Sequence, residues 1–370
     1  ISSAASDVYK RQVYNGLTEY LSRLSETLPD SLDVGFLVNS GSEANELAIR
    51  LARAYTGNYD MVVVEGAYHG HTGMLIDLSP YKFRGLGGKG DPEKWVHVLP
   101  LPDSYRRPEA DFLEEARTGL RDSGQVAALL VESMLSCAGQ IELPDGYLSE
   151  AASCVRRIGG LLIADDVQVG FGRVGTHMWA FEDTGVVPDI VVMGKPIGNG
   201  HPMAAVFTTR EIASSFGGME FFSTFGGNPV SCAIGMAVMD VIEKDDLMAR
   251  ARDLGSRFKT GLNSLKDSHE LIGDVRGRGL FLGIEMVRDH ESLAPAPEEA
   301  TDFVNRMRDE GVLLSTDGVY HNVVKIKPPM VLSEKDVDDT LEKMDSICLL
   351  YTSDAADDMQ CVDLGGRRII

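Results

Sequence analysis

Between residues 35 and 209 the chain repeats one unit: a short, near-continuous apolar run, then a stretch of helical periodicity. The runs are GFLVN (35–39), MVVVEG (61–66), VAALLVES (126–133), LLIADD (161–166), DIVVMG (189–194) and MAAVFTT (203–209). Strands that are apolar on both faces belong to a sheet covered on both sides, and alternation with helices implies parallel connections. After Asn39, Ala44, Leu47, Ala48, Leu51, Ala52 and Tyr55 recur at the spacing of one helix face. The expected fold class is therefore α/β, with a mainly parallel central sheet and helices on both faces.

Further helices are expected at 147–158 and, opened by Asn-Pro, at 228–243. The charged KDDLMARARD (244–253) reads as an exit from this first domain. Beyond it the pattern predicts a helix at 246–265, a strand at 279–287, a Pro-rich loop near 295–297, a helix at 298–310, a strand at 322–327 and a last helix at 333–347. The division expected is a large domain over 13–245 and a smaller C-terminal α+β domain over 246–348. The opening ISSAASDVYKRQ (1–12) and the closing LLYTSDAADDMQCVDLGGRRII (349–370) lack the periodicity of their neighbours and resemble translated adaptor sequence. Both are set aside from fold reasoning as non-native tails, which implies that the natural N-terminus is missing.

A net charge of −21 over 370 residues disfavours non-specific nucleic-acid binding and docking on anionic membranes. Any anionic ligand must be held by local donors. The five cysteines (Cys137, Cys154, Cys232, Cys348 and Cys361) are odd in number and lack metal-site spacing, so they read as reduced, packed thiols of an intracellular protein, with no metal expected. No run approaches the ~20 apolar residues of a membrane span. With the N-terminus set aside, mitochondrial matrix and cytoplasm both stay open.

Ligands of open α/β sheets bind beyond the carboxyl ends of the strands. That rule pools the polar residues that follow the runs: Ser40-Gly41-Ser42, Tyr68-His69-Gly70, Asp165 and Lys195. Each alone has an ordinary reading. SGSE (40–43) fits a capping box, His69 and His71 fit solvated loop histidines, Asp165-Asp166 fits a turn or a metal site, and Lys195 fits a snorkelling side chain. Together they form a phosphate cradle at a helix start, an aromatic ring, a carboxylate and a strand-end lysine. Those are the parts that hold pyridoxal phosphate as a Schiff base.

The segments NSGSEANELAIRLAR (39–53), AYHGHT (67–72), LLIADDVQVGFGRVG (161–175), PDIVVMGKPIGNGHP (188–202) and FSTFGGNPVSCA (222–233) resemble the class III pyridoxal-phosphate aminotransferase family. The resemblance runs from Val13 to Ile347 and implies the fold type I of pyridoxal-phosphate transferases. Within the family, SPYKFRG (79–85), KWVHVLPLPDSYR (94–106), GKPIGNGHP and NVVKIKPPM (322–330) are most similar to the ethanolamine-phosphate and phosphohydroxylysine phospho-lyases, often labelled alanine–glyoxylate aminotransferase 2-like. The resemblance implies Lys195 as the cofactor-linked lysine, Asp165 as the partner of the pyridine nitrogen, and Gly41 and Ser42 as phosphate ligands. It further implies Tyr68 stacked on the ring, Gln168 near the ring hydroxyl and Val167 on the opposite face. Thr224 would reach the cofactor phosphate of the partner subunit, so an obligate homodimer is expected, with a tetramer left open.

Two departures bear on the reaction. Relatives with an arginine before the Pro-Pro of the small domain clamp a substrate carboxylate bidentately, whereas the matching residue here is Lys325. The glutamate that pairs with that arginine in some relatives is replaced by Cys137. Asp166 also stands where a glutamate is common, which keeps a carboxylate in place. The expectation is phosphate and ammonia elimination from a small phosphorylated amine, with Lys325, Arg276 and the Lys82/Arg84 pair as candidates for its phosphate. An ordinary transaminase is the alternative, and an inactive N-terminally truncated fragment is a third reading.

Overall fold

The computed structural model describes residues 15–216 and 221–364, with side chains through Tyr351. Seven strands form the large sheet: β1 (Val34–Val38), β2 (Met61–Val64), β3 (Val96–Leu99), β4 (Ala128–Glu132), β5 (Leu161–Asp165), β6 (Ile190–Met193) and β7 (Ala204–Thr208). Their spatial order is β1-β7-β6-β5-β4-β2-β3. The strands from β6 through β5, β4 and β2 to β3 pair in parallel, while β7 runs antiparallel between β6 and β1. A parallel return needs a long crossover, and the short 194–203 connection from β6 cannot supply one. It folds straight back, which holds Lys195 at the edge of a tight link between neighbouring strands.

Successive strand residues enter different cores. Leu130, Ile163 and Val192 share a cluster with Ala44, Leu47, Ala48, Leu51 and Ala52 of the helix Gly41–Thr56. Leu129, Val131 and Leu162 pack with Leu148, Ala151, Ala152 and Val155 of the helix Tyr147–Arg157, and Val191 and Met193 pack with Cys232 and Met239 of the helix Pro229–Lys244. The sheet is thus covered on both faces, as continuous apolar strands require.

After Asp246, whose φ of 46° is left-handed, core membership changes. The helix Leu247–Ser268 buries Leu254, Phe258 and Leu262 against a second, antiparallel sheet of β8 (Ile272–Arg278), β9 (Phe281–Asp289), β10 (Ser315–Asp317) and β11 (Val323–Ile326), with Ala294–Pro295 paired to β9. Phe303 and Met307 of the helix Pro297–Asp309 join the same core. The last helix runs from Glu334 to Leu364, past the boundary at 348, and Tyr351 packs on this core while its hydroxyl donates to Asp302 at 2.8 Å.

Candidate active site

The helix Gly41–Thr56 starts directly after β1. Ser40 Oγ accepts from Glu43 N at 3.2 Å, so the capping reading of SGSE holds, but Glu43 reaches one residue further back and accepts from Asn39 N at 3.1 Å. Caps leave the first helical amides without intrahelical partners. Gly41 and Ser42 line a cavity of about 500 Å³ together with Tyr68, His69, Asp165, Val167, Gln168 and Lys195. A Cβ on Gly41 would lie 3.1 Å from Val167 Cγ1, so the helix start and Val167 approach as closely as a glycine allows.

Asp165 ends β5 with its neighbours in register, Glu132 on β4 and Val192 on β6. Its Oδ2 accepts from Asn45 Nδ2 at 2.9 Å and meets His69 Nδ1 at 2.8 Å, and its Oδ1 accepts from Val167 N at 3.2 Å. Asp166, one residue on, faces away from the cavity, as strand alternation dictates. It accepts from Ala180 N at 2.7 Å, and burial pushes its carboxyl up to about 7. The loop-histidine reading is corrected for His69: it is buried on Asp165, and among the described residues neither its Nε2 nor Asn45 Oδ1 beside it has a partner.

Lys195 opens the short turn Lys195–Ile197 with φ at +37°, a left-handed conformation that is strained for a residue with a Cβ. It is exposed, and it lines both the 500 Å³ cavity and an adjoining one of about 780 Å³. Tyr68 is half-buried and meets Tyr81 edge to face at 6.2 Å. Glu132 is buried, accepts from Tyr68 N at 3.4 Å and Ser136 N at 3.3 Å, and is raised to about 7 by burial, with Asp165 adding repulsion.

The cations singled out in the sequence fare differently. Lys325 pairs with the buried Asp317 at 2.8 Å. Arg276 is bound to Glu285, Asp103 and Asp274, and lines neither cavity. Arg84 pairs with Glu65 at 2.6 Å, and Lys82 sits 5.6 Å from the Tyr68 ring centroid. Thr224 is exposed and lines neither cavity. Cys137 is buried, and burial pushes its thiol up to about 12. The cation that the sequence reading passed over is Lys327, whose Nζ donates to Ser136 Oγ at 2.5 Å and Gln168 Oε1 at 3.4 Å. The signal was present in KIKPPM, where alternate strand positions carry lysine.

A doubly covered α/β sheet with a lysine, a buried carboxylate and a helix start on one rim is the architecture of the pyridoxal-phosphate transferases. The class-III aminotransferase family model matches residues 3–348, and the chain belongs to that family. The match takes in most of the opening segment set aside above, which lies outside the described residues. The chain is 46% identical, over 92% of its length and 72% of the relative's, to an alanine–glyoxylate aminotransferase 2-like protein of Drosophila melanogaster. It is 41% identical to ethanolamine-phosphate phospho-lyase homolog 1 of Caenorhabditis elegans, over 94% of this chain and 79% of that one. A solved phospholyase from Arthrobacter, in complex with phosphoethanolamine, superposes with a TM-score of 0.86 at 36% identity, covering 94% of this chain and 86% of that one.

The cofactor is pyridoxal phosphate, and the cavity fits it. The unpartnered His69 Nε2 and Asn45 Oδ1 leave buried polar room around Asp165, and the Gly41 helix start offers amides to a phosphate.

Proposed function

We propose that this protein is a phospho-lyase that eliminates phosphate and ammonia from a small phosphorylated amine such as ethanolamine phosphate or 5-phosphohydroxylysine. The observation that carries this reading is the Lys325–Asp317 ion pair at 2.8 Å. Lys325 stands at the sequence position where the resemblance puts the carboxylate-clamping arginine of relatives, and a lysine committed to a buried carboxylate offers no such fork. The phospho-lyase names of the worm relative and the Arthrobacter structure support the same conclusion.

In this reading Gly41 and Ser42 amides bind the cofactor phosphate, Tyr68 and Val167 flank its ring, Gln168 meets the ring hydroxyl, and Asp165 holds a proton on the ring nitrogen. Asn45 and His69 fix the Asp165 carboxylate for that task. Pyridoxal phosphate, when bound, supplies a carbonyl that captures the amine and an electron sink for the neighbouring carbanion. Lys195 Nζ takes the proton from the carbon bearing nitrogen. The C–O bond to phosphate on the next carbon then breaks, and the phosphate leaves with the bonding pair. With one water consumed, ethanolamine phosphate yields acetaldehyde, ammonia and phosphate. Thr224, exposed beside Phe222 and Phe225, is assigned to the interface of a homodimer, where it reaches the partner's cofactor phosphate.

The test is release of inorganic phosphate from ethanolamine phosphate or 5-phosphohydroxylysine by purified protein supplied with the cofactor. Lys195→Ala should abolish that release together with the absorbance of lysine-bound cofactor. Keto-acid-dependent amino transfer without phosphate release would make the protein a transaminase instead.

A further inference from the structure

We propose that Lys327 binds the anionic group of the substrate, an inference that rests on the phospho-amine reading above. Lys325 and Lys327 flank Ile326, the last residue of β11, but their surroundings differ. Lys325 is neutralised by Asp317 at 2.8 Å. Lys327, among the described residues, has no carboxylate at ion-pair distance; it is held by two neutral oxygens, Ser136 Oγ at 2.5 Å and Gln168 Oε1 at 3.4 Å, and lies 4.4 Å from the Phe281 ring centroid. An ammonium has three N–H donors, so one is left for a ligand.

Lys327 lines the 780 Å³ cavity that also holds Lys195 and Gln168. Arg173 lines it too, tied to the carbonyls of Leu280 and Pro328 and likewise facing no carboxylate at ion-pair distance among the described residues. Two largely buried cations beside one cavity leave it short of negative charge, and burying an uncompensated charge is unfavourable. A phosphate ester entering beside Lys195 supplies the missing charge. Gln168, accepting from Lys327 through Oε1, keeps its amide N–H groups for the cofactor side of the cavity.

Geometry and titration agree. Burial pushes the Lys327 ammonium down to about 7, Lys325 on the same strand pushes the same way, and Glu132, Asp317 and Cys137 from the facing elements oppose. An arriving anion stabilises the charged form, so binding draws in a proton near neutral pH. Glu132, raised to about 7, shifts in the same sense.

The experiment is calorimetric binding of sulfate, which stays a dianion across neutral pH, to enzyme whose cofactor is bound, so that the cofactor-phosphate cradle is filled. Sulfate should compete with the phospho-amine. Lys327→Met should bind sulfate about thirtyfold or more weakly and raise KM for ethanolamine phosphate to a similar extent, with bound-cofactor absorbance and melting temperature near wild type. Lys327→Arg should stay within about fivefold of wild type and show a flatter decline of sulfate affinity from pH 6.5 to 8.5. Unchanged sulfate affinity and KM in Lys327→Met overturn the inference while phosphate release continues to support the lyase reading. Conversely, Lys327-dependent sulfate binding in an enzyme that releases no phosphate overturns the lyase reading and leaves the anion site standing.

Discussion

Asp165 and Asp166 are consecutive carboxylates with opposite surroundings. Asp165 is held by Asn45, His69 and the Val167 amide beside the cavity, whereas Asp166 is buried away from it and accepts from the Ala180 amide. The sequence shows the pair but not the difference, because alternation at the end of β5 decides which one lines the cavity. For Asp166 the fold raises the carboxyl from 3.8 to about 7, chiefly through burial. The folded state then binds a proton that the unfolded chain has released, so this contribution is full below about pH 4 and is lost as pH rises to about 7. Stability of the wild type should fall relative to Asp166→Asn between about pH 5 and 7, by roughly 1.4 kcal/mol per pH unit at most, in denaturant titrations at each pH. Parallel curves would exclude a proton on Asp166. At the same scale, Asp165→Asn should lower turnover by about two orders of magnitude or more, since a preorganised charge is removed from the cofactor's side of the cavity.

Among the elements, the helix Gly41–Thr56 and strands β1, β2 and β4 to β7 were legible because their apolar residues follow a period or form a run. The strand β8 was not. Its IGDVRGR carries charges that local patterning assigns to a loop, yet Arg276 is buried because Glu285 on β9 and Asp103 in the loop after β3 neutralise it. The edge strand β3 and the helix Phe112–Asp122 also went unread, the strand because His97 interrupts its apolar run. Packing can even reverse a local rule. Alanine is favoured over glycine within a helix by about 1 kcal/mol. At Gly255, however, a Cβ would stand 2.2 Å from the Gly279 carbonyl oxygen, a contact with backbone that cannot rotate away. Gly255→Ala is therefore expected to destabilise the protein by roughly 1–3 kcal/mol, read from the denaturation midpoint. A gain in stability would show that the helix Leu247–Ser268 can shift off the 279 turn.

For the whole molecule, the two sheets are joined by a buried charge network. Arg106, in the segment that follows β3 of the large sheet, donates to Glu285 Oε1 at 2.5 Å, and Glu285 also binds Arg276 and Asn322 Nδ2. Removing one member of a buried network strands the others, at a cost of roughly 3–5 kcal/mol. Glu285→Ala should accordingly lower the melting temperature strongly and be little affected by salt, whereas Arg84→Ala at the more exposed Glu65 pair should change the unfolding free energy by less than about 1 kcal/mol. Equal effects would mean that the network does not join the sheets. Val167 and Gln168 were reached only through the family resemblance; by itself the local pattern determined the α/β class, the strands that end at the rim, and Lys195, Asp165, Gly41, Ser42 and Tyr68 as residues of that rim, where all seven line one cavity. Those properties reside in local period, turn chemistry and the rule for where sheets bind ligands. Only the tertiary structure decided that Arg276 serves the fold, that Lys325 is neutralised, that His69 is buried on Asp165 and that Lys327 lines the cavity with no carboxylate at ion-pair distance among the described residues. A lysine's or arginine's task depends on which carboxylate lies within 4 Å of it, and those partners come from distant parts of the chain.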